Sequence, residues 1–370
     1  MNLLYFAPVP YQSYWQRPHY MAQTLLGGVY DKLIWIDPTI TRLPQISDLI
    51  YFSKKSCDLI EGEIPSQIEV KRLRSLPIEP LPLVNRLNDV LFWANIKTEL
   101  KTQFADGQWD IGVGRPSRLA AWAVNTLQAR RTFMDVMDDF PAFYRGLSKI
   151  SMRNSKRRIA AKCDYIFCSD STLSSKIAQF ENAADILLVP NGYDMKRLPA
   201  ISQPATNSVI GFVGTIASWF DWELVIDLAL SLPTLKVRLI GPCMESPPSN
   251  LPPNIELLPA CSVEQAIEHC QGFTVGLIPF KINELTDSVD PIKYYELRAL
   301  GIPVWSTAFG SMKHRFGEPN VKQIKRGINW RSLWKEATLS KIEFENIKSF
   351  RSDNDWSKRF QYMINRLQEK

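Results

Sequence analysis

The sequence of 370 residues has no run of about 18 consecutive apolar residues, so no membrane-spanning helix is expected. Its six cysteines, at 57, 163, 168, 243, 261 and 270, include no C-x-x-C and no paired metal-ligand spacing. That excludes zinc-ribbon and disulfide-framework folds and predicts free, mostly buried thiols of a reducing compartment. Of the three histidines, His269 and His314 have no neighbours that suggest metal or catalysis. Neither G-x-G-x-x-G nor a P-loop follows a first strand, which argues against a dinucleotide dehydrogenase or a Walker NTPase. Charge of one sign is scarce as well: 44 Lys+Arg against 38 Asp+Glu gives only +6, too diffuse for nucleic acid. The start, Met-Asn-Leu-Leu-Tyr-Phe-Ala-Pro, has no basic n-region, and Pro8 ends its apolar run. It reads as a strand and not a signal peptide, so a cytoplasmic protein with at most peripheral membrane contact is expected.

What is present is a globular composition, 45% hydrophobic and 22% charged, in a chain long enough for two domains. Short apolar runs alternate with helical patterns, the mark of βαβ units and parallel sheets. Strands are predicted at Leu3–Ala7, Leu33–Ile36, Asp110–Val113, Arg131–Val136, Tyr165–Cys168 and Ile186–Val189, with helices near 18–26, 85–104, 117–128, 145–162 and 171–180. Apolar residues of 85–104 are expected to pack on the sheet. A charge-free stretch with two prolines, 198–208, reads as a linker. A second series follows at Val209–Val213, Lys236–Ile240, Ile255–Leu258, Thr274–Pro279 and Val304–Ser306, with helices near 221–232, 263–271 and 291–300, and a last helical pattern covers 353–369. The fold class is α/β, two tandem Rossmann-like domains facing across a cleft, with a ligand expected at the carboxyl ends of the strands.

The segment Ser288–Glu296 carries the strongest chemistry. Asp290 before Pro291 is expected to cap a helix whose N–H groups suit a phosphate. Lys293 stands in the first turn, where a cation opposes the helix dipole and calls for an anionic ligand. Glu296, on the same face, could take two ribose hydroxyls.

Pro291-Ile292-Lys293-Tyr294-Tyr295-Glu296-Leu297-Arg298-Ala299-Leu300-Gly301-Ile302-Pro303-Val304 resembles the P-x-K-x-x-E-x-x-A-x-G-x-P-V segment of GT-B glycosyltransferases of the family-4-like group. Asn191-Gly192-Tyr193-Asp194 is similar to the turn that ends their N-terminal domain, and Ile210–Asp221 to their first C-domain strand and glycine loop. Trp15-Gln16-Arg17-Pro18-His19 and Trp219-Phe220-Asp221 resemble bacterial teichuronic-acid and exopolysaccharide transferases. The resemblance implies an acceptor-binding domain (1–200), a nucleotide-sugar domain (207–345) and a C-terminal helix (346–370) returning to the first. It implies that Gly214 and Thr215 approach the diphosphate, that Lys293 neutralises it, that Asp290 and Glu296 join the donor site, and that Cys261 lies where the base binds. The donor would be a UDP-sugar, with no metal or other cofactor, and the acceptor a lipid-linked or oligosaccharide chain.

Two departures stand out: Ser288 occupies the place of the family's first glutamate, and Trp219-Phe220-Asp221 replaces an expected Arg or Lys. They bring the chain nearer to xanthan-type glucuronosyltransferases, which invert the anomeric centre. Asp138 is the matching base and Asp139 the second candidate; adjacent carboxylates raise one another's pKa. A retaining transferase without an enzymic base, or a non-catalytic sugar-nucleotide or membrane-binding protein, stays open. Arg17 and His19 are acceptor-side candidates. Lys149–Lys162 holds six cations and no acid, and could lie on an anionic membrane surface.

Overall fold

In the computed structural model, residues 1–39, 64–180, 184–201, 207–339 and 343–369 are described. Cys57 and part of the expected linker lie outside them. The chain divides into two compact units, Met1–Pro190 with Phe360–Lys370, and Asn191–Arg359. The boundaries expected at 200 and 346 therefore both fall inside the second unit.

Unit 1 is a parallel sheet of seven strands: β1 (Asn2–Phe6), β2 (Lys32–Ile36), β3 (Ile68–Lys71), β4 (Trp109–Val113), β5 (Thr132–Val136), β6 (Tyr165–Cys168) and β7 (Asp185–Leu188), in the order β3-β2-β1-β4-β5-β6-β7. Strands such as Leu33–Ile36 are buried throughout, as a parallel sheet covered on both faces requires. The helices are α1 (Arg17–Gly28), α2 (Pro82–Leu91), α3 (Ala94–Gln103), α4 (Arg118–Thr126), α5 (Gly146–Ala160) and α6 (Ser171–Ala178). Unit 2 has six parallel strands, β8 (Val209–Val213), β9 (Lys236–Ile240), β10 (Ile255–Leu258), β11 (Val275–Ile278), β12 (Val304–Ser306) and β13 (Val321–Gln323), in the order β10-β9-β8-β11-β12-β13. Its helices are α7 (Trp222–Ser231), α8 (Val263–Gln271), α9 (Ile292–Ala299), α10 (Trp330–Leu339) and α11 (Phe344–Asn354). The last helix, α12 (Trp356–Gln368), enters unit 1 at Phe360, where Phe360, Met363, Ile364 and Leu367 form one buried stripe at helical spacing.

Two expectations are corrected. Residues 85–104 form two helices: Trp93, Ile96 and Leu100 pack inward, but Leu83, Leu87, Val90 and Leu91 of α2 face outward. Asp290 is not the N-cap of α9; Pro291 takes that position, because the Asp290 carboxylate is drawn into other hydrogen bonds. Strands β3 and β13 and helices α10 and α11 were not anticipated, the strands being only four and three residues long.

Each sheet reverses direction around its first strand, giving a switch point between β1 and β4 in unit 1 and between β8 and β11 in unit 2. In unit 1 the start of α1 is fixed by a buried ion pair. Arg17 donates to Asp135 of β5 through Nε (2.9 and 3.1 Å) and Nη2 (2.7 Å), and through Nη1 to the Val189 carbonyl (2.7 Å). Both side chains are fully buried, and the Phe360 ring of α12 lies 5.5 Å from the guanidinium carbon.

Arg17→Met leaves an uncompensated buried carboxylate and is expected to cost about 3–5 kcal/mol in urea unfolding. Arg17→Met with Asp135→Leu should recover most of that loss; a double variant as unstable as the single one would contradict the assignment.

Candidate active-site residues in the two units

In unit 2 the candidate residues gather at the carboxyl edge of the sheet. Gly214, at the end of β8, adopts φ +154°, and its amide donates to the Ile240 carbonyl (2.9 Å). A Cβ on Gly241 would lie 2.1 Å from the Gly214 oxygen, so these two glycines let the loop lie against β9. Thr215 follows, partly exposed. Lys293 and Glu296, one turn apart on α9, pair at 2.6 Å with a third of each side chain exposed. Burial would lower the Lys293 pKa, but the Glu296 carboxylate outweighs it and holds the ammonium charged. Burial raises the Cys261 thiol while the Lys293 charge opposes the rise.

Asp290 is buried and engaged on both oxygens. Oδ2 accepts from the Asn191 amide (2.7 Å) and the Tyr295 hydroxyl (2.9 Å); Oδ1 accepts from Ser311 Oγ (2.7 Å) and Arg315 Nη2 (2.5 Å). Four bonds leave it no room for a donor contact. Its work is to fasten the approach to α9, and the Arg315 guanidinium lies 3.9 Å from the Tyr294 ring centre beneath it. Ser288 is buried and its hydroxyl makes no hydrogen bond among the described residues.

The structure adds a cation that the linear sequence hid. Asp221 caps α7, and the loop before it pairs with the segment after β11: the Asp221 amide donates to the Pro279 carbonyl (2.8 Å) and the Lys281 amide to the Trp219 carbonyl (2.7 Å). Lys281 Nζ then donates to the Ser218 carbonyl (3.0 Å), so an exposed ammonium sits on the glycine loop at the switch point. Lys281 stands 63 residues from Ser218, beyond any local signal.

In unit 1 the acceptor-side candidates Arg17 and His19 are both buried. Arg17 is committed to Asp135 and Val189. His19 is buried: Nδ1 accepts from the Gln16 amide (3.1 Å), and Nε2 lies 3.0 Å from the Tyr11 carbonyl, so it carries the proton. Burial lowers its pKa and keeps it neutral. A small cleft with about 20 Å³ of free volume, open to solvent, lies instead at the β1/β4 switch point, lined by Ala7, Asp37, Pro38, Thr39, Arg115 and Ser117 among others. Asp37 accepts from the Tyr11 amide (2.8 Å) and Arg72 Nε (3.3 Å), and Arg115 Nη2 donates to Glu79 (3.3 Å).

Just beyond β5, the two adjacent carboxylates are driven apart. Burial works against ionisation of Asp139, but Lys156 (3.1 Å) and Lys176 (3.0 Å) outweigh it and hold Asp139 below the usual carboxylate range. Asp138 is raised to about 7, first by burial and then by the Asp139 charge, with Arg17 and Lys156 opposing. Asp139 is therefore a fixed anion and Asp138 a group that exchanges its proton near neutrality, the property of a general base.

The folded chain binds the Asp138 proton more tightly than the unfolded chain does. Stability from this group is full below the ordinary carboxylate pKa and declines as pH rises toward about 7. Asp138→Asn should remove that decline, so urea titrations at about pH 5 and about pH 8 should show a smaller loss in the variant. Equal losses would exclude Asp138 as the source.

No family model matches the chain. It is 23% identical over 191 residues to the teichuronic acid biosynthesis glycosyltransferase TuaH of Bacillus subtilis, covering 48% of each chain. The chain thus matches about half the length of that relative. Among solved structures, a sucrose-phosphate synthase from Thermosynechococcus elongatus superposes with a TM-score of 0.66 at 12% identity over 98% of this chain and 97% of that one. Anabaena HepE, solved in complex with UDP, gives 0.64 at 11% over 99% of both. AviGT4, a glycosyltransferase of avilamycin A biosynthesis, gives 0.59 at 11% over 99% and 98%. With two parallel-sheet α/β units and these neighbours, the chain has the GT-B fold of two Rossmann-like domains.

Proposed function

We propose that the chain is a glycosyltransferase that moves a sugar from a nucleotide-diphosphate donor, UDP-linked, to a lipid-linked or oligosaccharide acceptor of bacterial surface polysaccharide. The observation that carries this reading is the partly exposed Lys293–Glu296 pair on α9, at the carboxyl edge of the unit 2 sheet. In the structure the two charges satisfy each other. A donor would replace that pairing, its diphosphate taking Lys293 and its ribose hydroxyls taking Glu296. Gly214 and Thr215 would approach the diphosphate with backbone N–H groups, and Lys281 would supply the second cation that the glycine loop lacks. Asp290 would act on the donor only by holding α9 in place. HepE was solved with UDP and with UDP-glucose, and TuaH is named for teichuronic acid biosynthesis; both support the donor and pathway of this reading.

In unit 1, Arg115 and Asp37 of the β1/β4 pocket would hold the acceptor. Asp138 would take the proton from the attacking hydroxyl as it displaces the nucleoside diphosphate at the anomeric carbon, inverting that centre. Ser288 supports this choice, since a hydroxyl stands where family-4 enzymes carry a carboxylate. Protein cations neutralise the leaving diphosphate, so no metal is invoked. A lipid-linked acceptor would place the enzyme at the inner face of the plasma membrane.

Lys293→Ala removes one charge-assisted contact and should lower kcat/KM for transfer about 10–100-fold, with EDTA leaving the wild-type rate unchanged. Retention of the rate within about threefold would place the diphosphate elsewhere. Lys281→Ala should raise the donor KM more than it lowers kcat.

Asp138→Asn should lower kcat about 10²–10⁴-fold. In the wild type kcat/KM should fall below an apparent pKa of about 7, and that acid limb should be absent from the variant's residual activity. Near-normal turnover by Asp138→Asn would assign the chain to the retaining class instead.

A further inference from the structure

Helix α2 (Pro82–Leu91) is built inside out. A surface helix normally turns its apolar stripe to the core and its polar residues to water. Here Asn85 and Asn88 are the buried residues, and Asn88 Oδ1 accepts from the Leu76 amide (2.7 Å). Leu83 and Val90 are 74% and 76% exposed, with Leu87, Leu91 and the following Phe92 exposed beside them. Positions 83, 87, 90 and 91 fall on one helical stripe, so this is a continuous apolar face and not scattered exposure. Arg86 is exposed on the same helix. The helix's one acid, Asp89, is turned away into pairs with Lys97 (2.5 Å) and Arg118.

Helix α5 (Gly146–Ala160) packs against α2 and continues the theme. Phe143, in the turn before it, and Leu147 and Ile150 in its first two turns are all at least half exposed. The exposed positions then become Arg153, Arg157 and Arg158, and no acid occurs between 146 and 162. Of the six cations in 149–162, Lys156 is turned inward onto Asp139, while these three arginines stay outside.

We propose that α2 and the first half of α5 form a docking face for an anionic lipid bilayer. The aliphatic side chains of α2, with Leu147 and Ile150, enter the boundary between headgroups and acyl chains, and the exposed arginines meet lipid phosphates. Charge selects this occupant over a second copy of the chain: a symmetric contact would set two arginine-bearing faces of like charge against each other, whereas an anionic surface complements the exposed Arg86, Arg153 and Arg157. The docking stands apart from the chemistry of transfer, and its test does not measure transfer.

The test is co-sedimentation of the full chain with vesicles of phosphatidylcholine, alone or mixed with phosphatidylglycerol. The wild type should bind the mixed vesicles, with binding that weakens as salt rises. Leu83→Ser with Leu87→Ser and Val90→Ser should lower the partition at least about tenfold, since three buried aliphatic side chains are lost. Arg153→Gln with Arg157→Gln should abolish the preference for anionic over neutral vesicles. All these positions are exposed, and each variant should keep the wild-type circular dichroism and thermal transition. Wild type remaining in the supernatant, or a triple variant that binds as well as wild type, would overturn the proposal. A wild-type dimer in light scattering that the triple variant converts to monomer would assign the face to a second copy. Loss of transfer activity in an Asp138 or Lys293 variant that still sediments with vesicles would bear only on the catalytic reading.

Discussion

A buried arginine–aspartate pair at the carboxyl edge of each sheet is the constraint on which both candidate sites rest. In unit 1 Arg17 joins the first turn of α1 to Asp135 of β5 and to the end of β7, with Phe360 of the last helix against it. In unit 2 Arg315 holds Asp290, which in turn accepts from Asn191, Tyr295 and Ser311. Desolvating such a pair is costly, and only good geometry with extra hydrogen bonds repays it; both pairs have that geometry. Neither pair is placed to meet a ligand. Each fixes the loops and helix starts on which the candidate groups stand, Asp138 in unit 1 and Lys293 with Glu296 in unit 2.

The charges around Asp138 show how this scaffold sets chemistry. Two adjacent aspartates in the same turn would ordinarily titrate alike. Lys156 and Lys176 take Asp139 and keep it ionised, and its fixed charge, added to burial, raises Asp138 to about 7. One member of the pair is thus spent to tune the other. Lys156 comes from the basic helix α5, so the same helix that presents arginines outward also supplies the inward cation. Its opposite faces serve electrostatics within unit 1 and, on the reading above, a lipid surface outside it.

Much of the architecture was legible locally. The apolar runs at Leu33–Ile36 and Val209–Val213 are buried strands because a continuous hydrophobic run satisfies both faces of a parallel sheet. The Pro291–Val304 segment marked a strand-end helix with one exposed lysine and glutamate, and α9 carries them as a pair. The harder cases turned on partners. Arg17 and His19 read as acceptor-side candidates from the segment that follows the first strand; Asp135, 118 residues away, takes Arg17, and the Tyr11 carbonyl and a shell of aromatic rings enclose His19. The Asp290 carboxylate looked like a helix cap because Pro291 follows it, yet side chains from 21 and 25 residues downstream claim it.

The sequence by itself determined the order of elements, the two parallel-sheet units and the segment bearing Lys293 and Glu296, because hydrophobic period and turn chemistry act over a few residues. Tertiary structure alone decided which titratable groups are spent on one another, that Lys281 reaches the glycine loop, and that α2 turns its leucines to the outside. Those outcomes depend on desolvation and charge pairing between residues far apart in the chain. A helical stripe shows that one face is apolar, and only the packed neighbours settle whether that face points to the core or away from it.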